Sequence, residues 1–186
     1  MFSRQDSRLS ERELVRLVGR GDARAQRELY DRYAGYMTAV ASRYLSDSER
    51  VKDVMQDAFI RIFERFGSFH YRGEGSLRAW MTRIVVNFAL QDLRRTNRLL
   101  PAEELPDTPD DGGQDFADVP IDVIHNMICR LPDGYRTVFN LFVFEWLKHK
   151  EIAALLGIKE NSSASQFLRA RALLAKEIEE YRRING

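Results

Sequence analysis

A proline-rich and glycine-rich break divides the sequence into two parts. Residues 99–120 contain four of the five prolines and two adjacent glycines. Neither a helix nor a strand persists across such a stretch, because proline lacks a backbone donor and both residues interrupt regular structure. If flexible, the segment spans roughly 25 Å between its ends, and it reaches roughly 70 Å when taut. We therefore expect an N-terminal domain of residues 1–98, a flexible linker of residues 99–120 and a C-terminal domain of residues 121–186.

Outside this linker, apolar residues recur every three or four positions, which is the spacing of helices with one buried face. No alternation typical of a strand and no hairpin signal accompanies them. The N-terminal stripes are Leu14, Leu17 and Val18, then Leu29, Tyr33, Tyr36, Met37 and Val40, then Val54, Ala58, Ile62 and Phe66. The pattern predicts an all-α protein with two small helical domains, a four-helix bundle followed by a smaller helical cluster.

The residue content excludes several classes of protein. The single cysteine, Cys129, cannot form an internal disulfide or a cysteine-built zinc site, which excludes a disulfide-stapled secreted scaffold. The N-terminus lacks the apolar core of a signal peptide, and no stretch of about 18 residues is free of charge. We expect a cytoplasmic protein with no membrane insertion.

The charges are segregated along the chain. Residues 1–98 carry 19 basic and 13 acidic side chains, whereas residues 99–129 carry eight acidic and no basic ones. Residues 130–186 are basic again, with 10 basic and 7 acidic side chains. Two basic modules joined by an acidic connector are typical of a protein with a polyanionic partner. The alternative is two solvated domains and a solvated linker.

The segment from Tyr71 to Arg98 predicts a helix of about 23 residues, roughly 34 Å long, with Ser76 as its N-cap. Its buried face is predicted to contain Leu77, Trp80, Met81, Ile84, Val85, Phe88 and Leu93. The opposite side forms one polar and cationic stripe of Arg83, Asn87, Gln91, Arg94, Arg95 and Arg98. Such a stripe suits a phosphate backbone, and its Asn and Gln can bond base edges. The alternative is a solvated Arg-rich face without a ligand.

The loop before this helix combines an aromatic ring with glycines. It consists of Tyr71, Arg72, Gly73, Glu74, Gly75 and Ser76. An aromatic beside exposed backbone N–H groups at a helix N-terminus can hold an unstacked base. A glycine-rich connector that only turns the chain is the alternative.

The C-terminal segment from His149 to Tyr181 has the layout of a helix-turn-helix. Gly157 permits the tight turn, and a second helix follows with Ser163, Phe167, Ala170, Leu174 and Ile178 on its inner face. The outward positions, where a recognition helix contacts DNA, are Asn161, Ser162, Ala164, Ser165, Leu168, Arg169 and Arg171. A packing hairpin without a ligand is the alternative.

Two further groups of residues give only weak evidence for a chemical site. Asp53, Gln56 and Asp57 share one helix face, which fits acid–base chemistry less well than an exposed or protein-binding surface. His125 and Cys129 lie four residues apart, but a metal site needs further ligands that the sequence does not supply. We expect no metal, no cofactor, no catalytic residue and no small-molecule substrate.

The motifs in combination resemble those of the extracytoplasmic-function (ECF) group of bacterial sigma factors, the two-domain initiation factors of RNA polymerase. The stretch DVMQDAFIRIF, residues 53–63, is similar to the motif that docks on the β′ clamp helices of the polymerase. The resemblance implies that the polymerase contacts are Asp53, Gln56, Asp57 and Phe59.

The resemblance extends to both DNA-reading segments. The stretch FHYRGEGSLRAWMTRIVVNFALQDLRR is similar to the family's sigma-2 segment that captures and opens the −10 element. It implies that the loop of residues 71–76 surrounds a flipped non-template base, with Asn87 at the pocket floor and Trp80 packed beneath. The implied −10 contacts are Tyr71, Arg72, Gly73, Glu74, Ser76, Arg83, Asn87, Gln91, Arg94 and Arg95.

The stretch LPDGYRTVFNLFVFEWLKHKEIAALLGI looks like the family's sigma-4 domain, which reads the −35 element. The resemblance implies that the linker threads the basic channel of the polymerase, that the β flap is a second contact and that an anti-sigma protein holds the factor inactive. One departure is that Asn161, Ser162, Ser163 and Ala164 replace the usual Gly-Thr-aliphatic-Lys or Arg start of the recognition helix.

We therefore expect a sigma factor that directs the polymerase core to specific promoter DNA. The alternative is a helix-turn-helix regulator that acts without the polymerase core and uses the Asp53–Phe59 face for a dimer partner.

Overall fold

The computed structural model describes residues 9–96 and 119–185. Every regular element within these ranges is helical, which confirms the expected all-α fold. The helices are α1 (Glu11–Val18), α2 (Ala23–Ser42), α3 (Ser48–Arg65), α4 (Ser76–Arg95), α5 (Ile121–Arg130), α6 (Asp133–Val143), α7 (His149–Leu156) and α8 (Glu160–Asn185), with a 3₁₀ turn (Phe66–Ser68) after α3.

The described residues form two compact units. The first contains α1 to α3 and most of α4, up to Leu90, and the second contains α5 to α8, residues 43–46 and the end of α4 from Gln91. Residues 99–118, most of the expected linker, lie outside the described residues, so the boundaries at 98/99 and 120/121 stay predictions. Among the described helices, none is both long and apolar enough to cross a membrane.

Polar side chains fix the starts of the first three helices. The Ser10 hydroxyl accepts a hydrogen bond from the Glu13 N–H at 3.2 Å, and the Glu13 carboxylate accepts one from the Ser10 N–H at 3.4 Å. This reciprocal pair is a capping box. Asp22 accepts from the Ala25 N–H and Asp47 from the Glu49 N–H, both at 2.9 Å. Each cap satisfies an N–H that has no partner within its helix.

Most of the apolar stripes predicted for α1 to α3 form the core of the first unit, although Leu17 is only half-buried. Fully buried members include Leu14, Leu29, Met37 and Ile62, each with no exposed surface. Tyr36 was expected among them but is 44% exposed, and the Arg78 guanidinium lies 5.4 Å from its ring centroid. A tyrosine lies readily at such a border, because its ring packs while its hydroxyl remains in water.

Helix α4 is buried over more of its circumference than the sequence predicted. Leu77, Met81, Val85 and Leu93 of the predicted face are buried, whereas Trp80, Ile84 and Phe88 are only half-buried. Further residues on the neighbouring face are also buried, namely Thr82, Val86, Ala89, Leu90 and Asp92. Beyond the first turn, where Arg78 and Ala79 are exposed, solvent therefore reaches only a narrow strip of this helix.

The second unit packs α5 and α6 against α8. Its core contains Val119, Met127, Ile128, Leu131, Tyr135, Phe139, Ala170, Leu174 and Ile178. Pro132 immediately precedes α6, where the missing N–H costs nothing because the first helical N–H groups have no internal acceptor. Gly157 ends α7 with φ of 71°, a left-handed conformation that glycine adopts without strain. The helix-turn-helix predicted from the sequence therefore comprises α7, this turn and α8.

Candidate nucleic-acid and polymerase interfaces

The exposed strip of α4 coincides with the predicted polar stripe. Arg83, Asn87, Gln91, Arg94 and Arg95 are all exposed, while the positions between them are buried or half-buried. Arg95 also contacts the buried Asp92 carboxylate at 3.1 Å, so part of its charge is balanced. Arg98, the last predicted member, lies outside the described residues. The strip presents cationic and amide groups along one side of a rigid helix, which is the arrangement that phosphate and base contacts require.

The loop before α4 is closed by its own hydrogen bonds. The Ser76 hydroxyl donates to the Gly73 carbonyl at 2.6 Å and accepts from the Arg72 N–H at 3.3 Å. Gly73 and Gly75 have φ of 124° and 83°, a region that residues with a Cβ rarely adopt. Ser76 was expected to be the N-cap of α4; it is instead the first residue of the helix, and its side chain closes the loop.

The side chains of this loop differ in exposure. Arg72 and Glu74 are exposed, whereas Tyr71 is half-buried. The Arg12 guanidinium of α1 lies 5.5 Å from the Tyr71 ring centroid, a cation–π distance. The loop therefore offers an aromatic ring beside exposed charged groups at the N-terminal end of the α4 strip.

An aromatic cluster supports α4 near its N-terminus. The half-buried Trp80 packs edge-on against Phe66 at 5.9 Å between ring centroids, and its ring is tilted by 38° against Phe69 at 5.0 Å. Phe66 and Phe69 are themselves 6.1 Å apart. Aromatic pairs at such separations stabilise a core beyond their buried area alone. Trp80 thus holds the start of α4 against the 3₁₀ turn that leads into the loop.

The second predicted interface lies on α3. Asp53, Gln56 and Asp57 are exposed, as a docking surface requires, but Phe59 is only 5% exposed. The Phe59 ring packs against Tyr30 of α2 at 4.7 Å between centroids. Phe59 therefore supports this face from within.

Beside the three polar residues, α2 and α3 border an open groove of about 510 Å³. The groove is mostly apolar, and two of its large apolar lining side chains are well exposed, Tyr30 at 49% and Ile60 at 51%. Spacing arguments from the sequence missed both residues, since each is an apolar side chain on the outer side of its helix. The α3 face thus combines two carboxylates with an apolar neighbour, a composition typical of protein-binding surfaces.

The third predicted interface lies on α8. Asn161, Ser165 and Leu168 are exposed near its start, and Leu168 is 40% exposed. Half-buried positions complete the predicted set, namely Ser162, Ala164, Arg169 and Arg171. The nearby Gln166 is only 6% exposed, so its amide is not presented at this surface.

Ser163, which departs from the usual apolar residue, is buried and has a partner. Its hydroxyl lies 3.0 Å from His149 Nδ1, at the first position of α7. The His149 ring stacks on Phe142 at 4.7 Å between centroids, and Phe167 lies 5.7 Å away. A buried hydroxyl with a hydrogen bond avoids the desolvation cost of an unpaired one. The serine therefore ties the two helices of the helix-turn-helix together.

His125 and Cys129 lie next to each other on α5. Cys129 Sγ lies 3.8 Å from His125 Nδ1, but no group of three or more metal-ligating side chains occurs among the described residues. Partial burial raises the pKa of the Cys129 thiol, with the nearby Arg136 opposing that shift. The raised pKa favours the less reactive protonated form of the thiol.

Known proteins resemble this chain over most of its length. The chain is 28% identical to the ECF RNA polymerase sigma-E factor of Haemophilus influenzae, over 92% of this chain and 96% of that protein. It is also 28% identical to the RNA polymerase sigma-H factor of Pseudomonas aeruginosa, over 91% and 94%. Family models for Sigma-70 region 2 and for Sigma-70, region 4 match residues 29–99 and 121–174, which together are more than half of the chain. The chain belongs to the ECF group of the sigma-70 family.

As a member of this family, the chain is a promoter-specificity factor of RNA polymerase. The region 2 match contains α3, the loop and the whole of α4, and the region 4 match contains α5 to α7 and the start of α8. The presence of both regions in one chain favours a sigma factor over a regulator that never joins the polymerase.

A solved structure shares the fold of this sigma factor. The structure of CnrH in complex with the cytosolic domain of CnrY is 24% identical in sequence, with a TM-score of 0.51, and the match covers 91% of this chain and 97% of CnrH.

Helix α1 of this sigma factor is also part of the candidate site. Glu11 accepts hydrogen bonds from the N–H groups of Gly75 and Leu77, 64 and 66 residues further along the chain. Together with Arg12 at Tyr71, it joins α1 to the loop before α4. No local pattern reveals a contact of this separation. In the sequence, this contact is indicated only by the charges of Glu11 and Arg12 at the start of α1.

Proposed function

We propose that the sigma factor divides its work among the three surfaces described above. The exposed face of α3, with Asp53, Gln56 and Asp57, docks on the β′ clamp of the polymerase core, and the buried Phe59 supports it. The loop of residues 71–76 captures one unpaired non-template base of the −10 element. The polar strip of α4 then follows the strand that carries this base.

One observation carries this proposal. From Trp80 to Arg95, every exposed residue of α4 lies on the strip from Arg83 to Arg95, and the loop with its half-buried Tyr71 lies at the N-terminal end of that strip. Unstacking a base costs only a few kcal/mol, which stacking and hydrogen bonds in a small site can offset. Such a factor needs no catalytic residue, because RNA synthesis belongs to the polymerase.

The second unit reads the −35 element as duplex DNA in this proposal. Asn161 and Ser165 are exposed near the start of α8, where a recognition helix faces the major groove. Few cations lie there, so this domain alone binds with a shallow dependence on salt. The β flap of the polymerase holds the domain at the −35 element, and the linker of residues 99–120 passes through the basic channel between the two sites.

A protein inhibitor is part of the same proposal. The similar protein CnrH was solved with the cytosolic domain of CnrY. The exposed groove residues Tyr30 and Ile60 beside the α3 carboxylates offer a surface on which an anti-sigma protein competes with the polymerase core. The factor then acts in the cytoplasm, where the polymerase is, once the inhibitor is released.

The test is whether promoter recognition depends on the polymerase. The purified chain, the polymerase core and the reconstituted holoenzyme are each titrated with a promoter duplex mapped from transcripts induced by overexpression, and run-off transcription is measured in parallel. We expect tight binding and transcription only with holoenzyme. Tight binding by the chain alone, without stimulation of transcription, would favour a free-standing regulator.

A further inference from the structure

We propose that Glu11 is a positioning residue for −10 recognition, whose carboxylate holds the loop of residues 71–76 in the shape that receives the base. This inference rests on the proposed function of that loop. It concerns α1, which precedes the region 2 match at residue 29.

The Glu11 carboxylate accepts hydrogen bonds from two backbone N–H groups at the N-terminal end of α4. Glu11 Oε2 accepts from the Gly75 N–H at 3.1 Å, and Oε1 accepts from the Leu77 N–H at 3.3 Å. The first N–H groups of a helix have no acceptor within it, and its N-terminus carries partial positive charge. A carboxylate at this place supplies both acceptors and opposite charge. Glu11 thus takes the capping role that the sequence assigned to Ser76.

The Glu11 carboxylate is itself fixed from the side of α2. The Tyr33 hydroxyl donates to Oε2 at 3.2 Å, and burial together with this carboxylate raises the Tyr33 pKa. The Arg32 guanidinium donates to the Leu9 carbonyl at 2.8 Å, just before α1 begins. These contacts and the buried Leu14 leave Glu11 little freedom to follow a moving loop.

A second contact from α1 reaches the other end of the loop. Arg12 lies 5.5 Å from the Tyr71 ring centroid, while Glu11 bonds Gly75 and Leu77. The exposed residues between these two contacts, Arg72 and Glu74, are the ones free to meet DNA. Helix α1 therefore restrains both ends of the loop and leaves its middle open.

The restraint of the loop by α1 matters because glycine residues can adopt many backbone conformations. Gly73 and Gly75 have many alternative conformations of similar energy, and selecting one of them on binding lowers affinity. Loss of the Glu11 carboxylate is expected to weaken capture of the base on the order of tenfold, the equivalent of one charge-assisted hydrogen bond. Docking on the polymerase core uses α3 and is expected to remain unchanged.

The experiment compares Glu11→Ala and Glu11→Gln with Glu13→Gln in reconstituted holoenzyme. Glu13 lies on the same helix, but its carboxylate bonds only Ser10 among the contacts described, so it controls for the change in charge. Binding is measured to a single-stranded oligonucleotide with the −10 segment of a mapped promoter, and core binding is measured by competition.

We expect Glu11→Ala to lose about tenfold in strand affinity, Glu11→Gln to fall between it and wild type, and Glu13→Gln to match wild type. Core affinity stays within about twofold for all three. Unchanged strand binding by folded Glu11→Ala holoenzyme would overturn the inference. If wild-type holoenzyme itself fails to bind the strand, the proposed function fails instead.

Hydrogen exchange tests the positioning role without DNA. It uses Glu11→Gln, so the test remains possible if Glu11→Ala is too unstable to study. In the Glu11→Gln chain, the amides of Gly75 and Leu77 are expected to exchange faster, while the Val85 amide in the middle of α4 keeps its wild-type rate. Equal rates at all three amides in variant and wild type would show that Glu11 does not restrain the loop.

Discussion

At the scale of single residues, two glycines have opposite roles that their backbone angles explain. Gly75 has φ of 83°, whereas Gly35 lies inside α2 with an ordinary helical backbone, and an added Cβ would meet no atom within 4 Å at either place. Conformation alone therefore distinguishes them. The sequence shows that both are glycines but not which one is required.

We expect Gly75→Ala to reduce the free energy of unfolding by about 1 kcal/mol, because alanine is strained at positive φ. Gly35→Ala is expected to increase it by about 0.5–1 kcal/mol, because alanine favours a helix. Urea denaturation followed by circular dichroism measures both changes. Equal effects of the same sign at the two positions would contradict the backbone conformations described.

Ser163 shows how a residue can look misplaced in the sequence and be explained by a distant partner. It replaces an apolar residue of the family pattern, yet its hydroxyl lies 3.0 Å from His149 Nδ1 inside the helix-turn-helix. The compensating histidine is 14 residues away and faces it only after α7 and α8 pack. The sequence shows that Ser163 departs from the family pattern, but it does not show that His149 is its hydrogen-bond partner.

Ser163→Ala removes this hydrogen bond and leaves the imidazole nitrogen without its partner. We expect a loss of about 1 kcal/mol in the free energy of unfolding. Ser165→Ala, at an exposed position of the same helix, is the matched control and is expected to change stability by less than about 0.5 kcal/mol. Thermal or urea denaturation of both variants measures these changes in the free energy of unfolding. A Ser163→Ala chain as stable as wild type would mean that the hydroxyl contributes nothing to packing.

At the scale of elements, α4 is the part of the site that was most predictable. The polar stripe follows from helical spacing alone, because Arg83, Asn87 and Gln91 recur every four residues. What spacing could not reveal is that the other sides of α4 are buried, since Thr82 and Asp92 are polar yet lie in the interior. The support of the loop by α1 was likewise hidden, because it depends on tertiary packing.

Arg83 provides a test of the strip as a phosphate-binding surface. We expect Arg83→Ala to weaken binding of holoenzyme to single-stranded −10 DNA and to reduce the slope of log K against log salt by about 0.7, the value for one lost phosphate contact. Arg24→Ala removes an exposed arginine from the start of α2, away from the strip, and is the control. Identical salt slopes for the two variants would show that the strip does not contact phosphate.

At the scale of the whole molecule, the two helical domains and their order were predictable, because a proline-rich acidic segment separates two sets of helical stripes. The proposed docking surface on α3 was predictable as a set of exposed polar residues, but the burial of Phe59 and the exposure of Tyr30 and Ile60 depend on how α2 and α3 meet. The linker of residues 99–120 mostly lies outside the described residues, so its path stays a prediction.

The central claim is that α4 and α3 do separate jobs, one for promoter strands and one for the polymerase. The most direct measurement assays core binding and promoter opening in parallel for Asn87→Ala and Asp57→Arg, two exposed positions on different helices. We predict that Asn87→Ala binds the core like wild type but opens promoters poorly. Asp57→Arg is predicted to lose core affinity and, once saturating concentrations restore the holoenzyme, to open promoters normally. Equal loss in both assays for either variant would contradict the account.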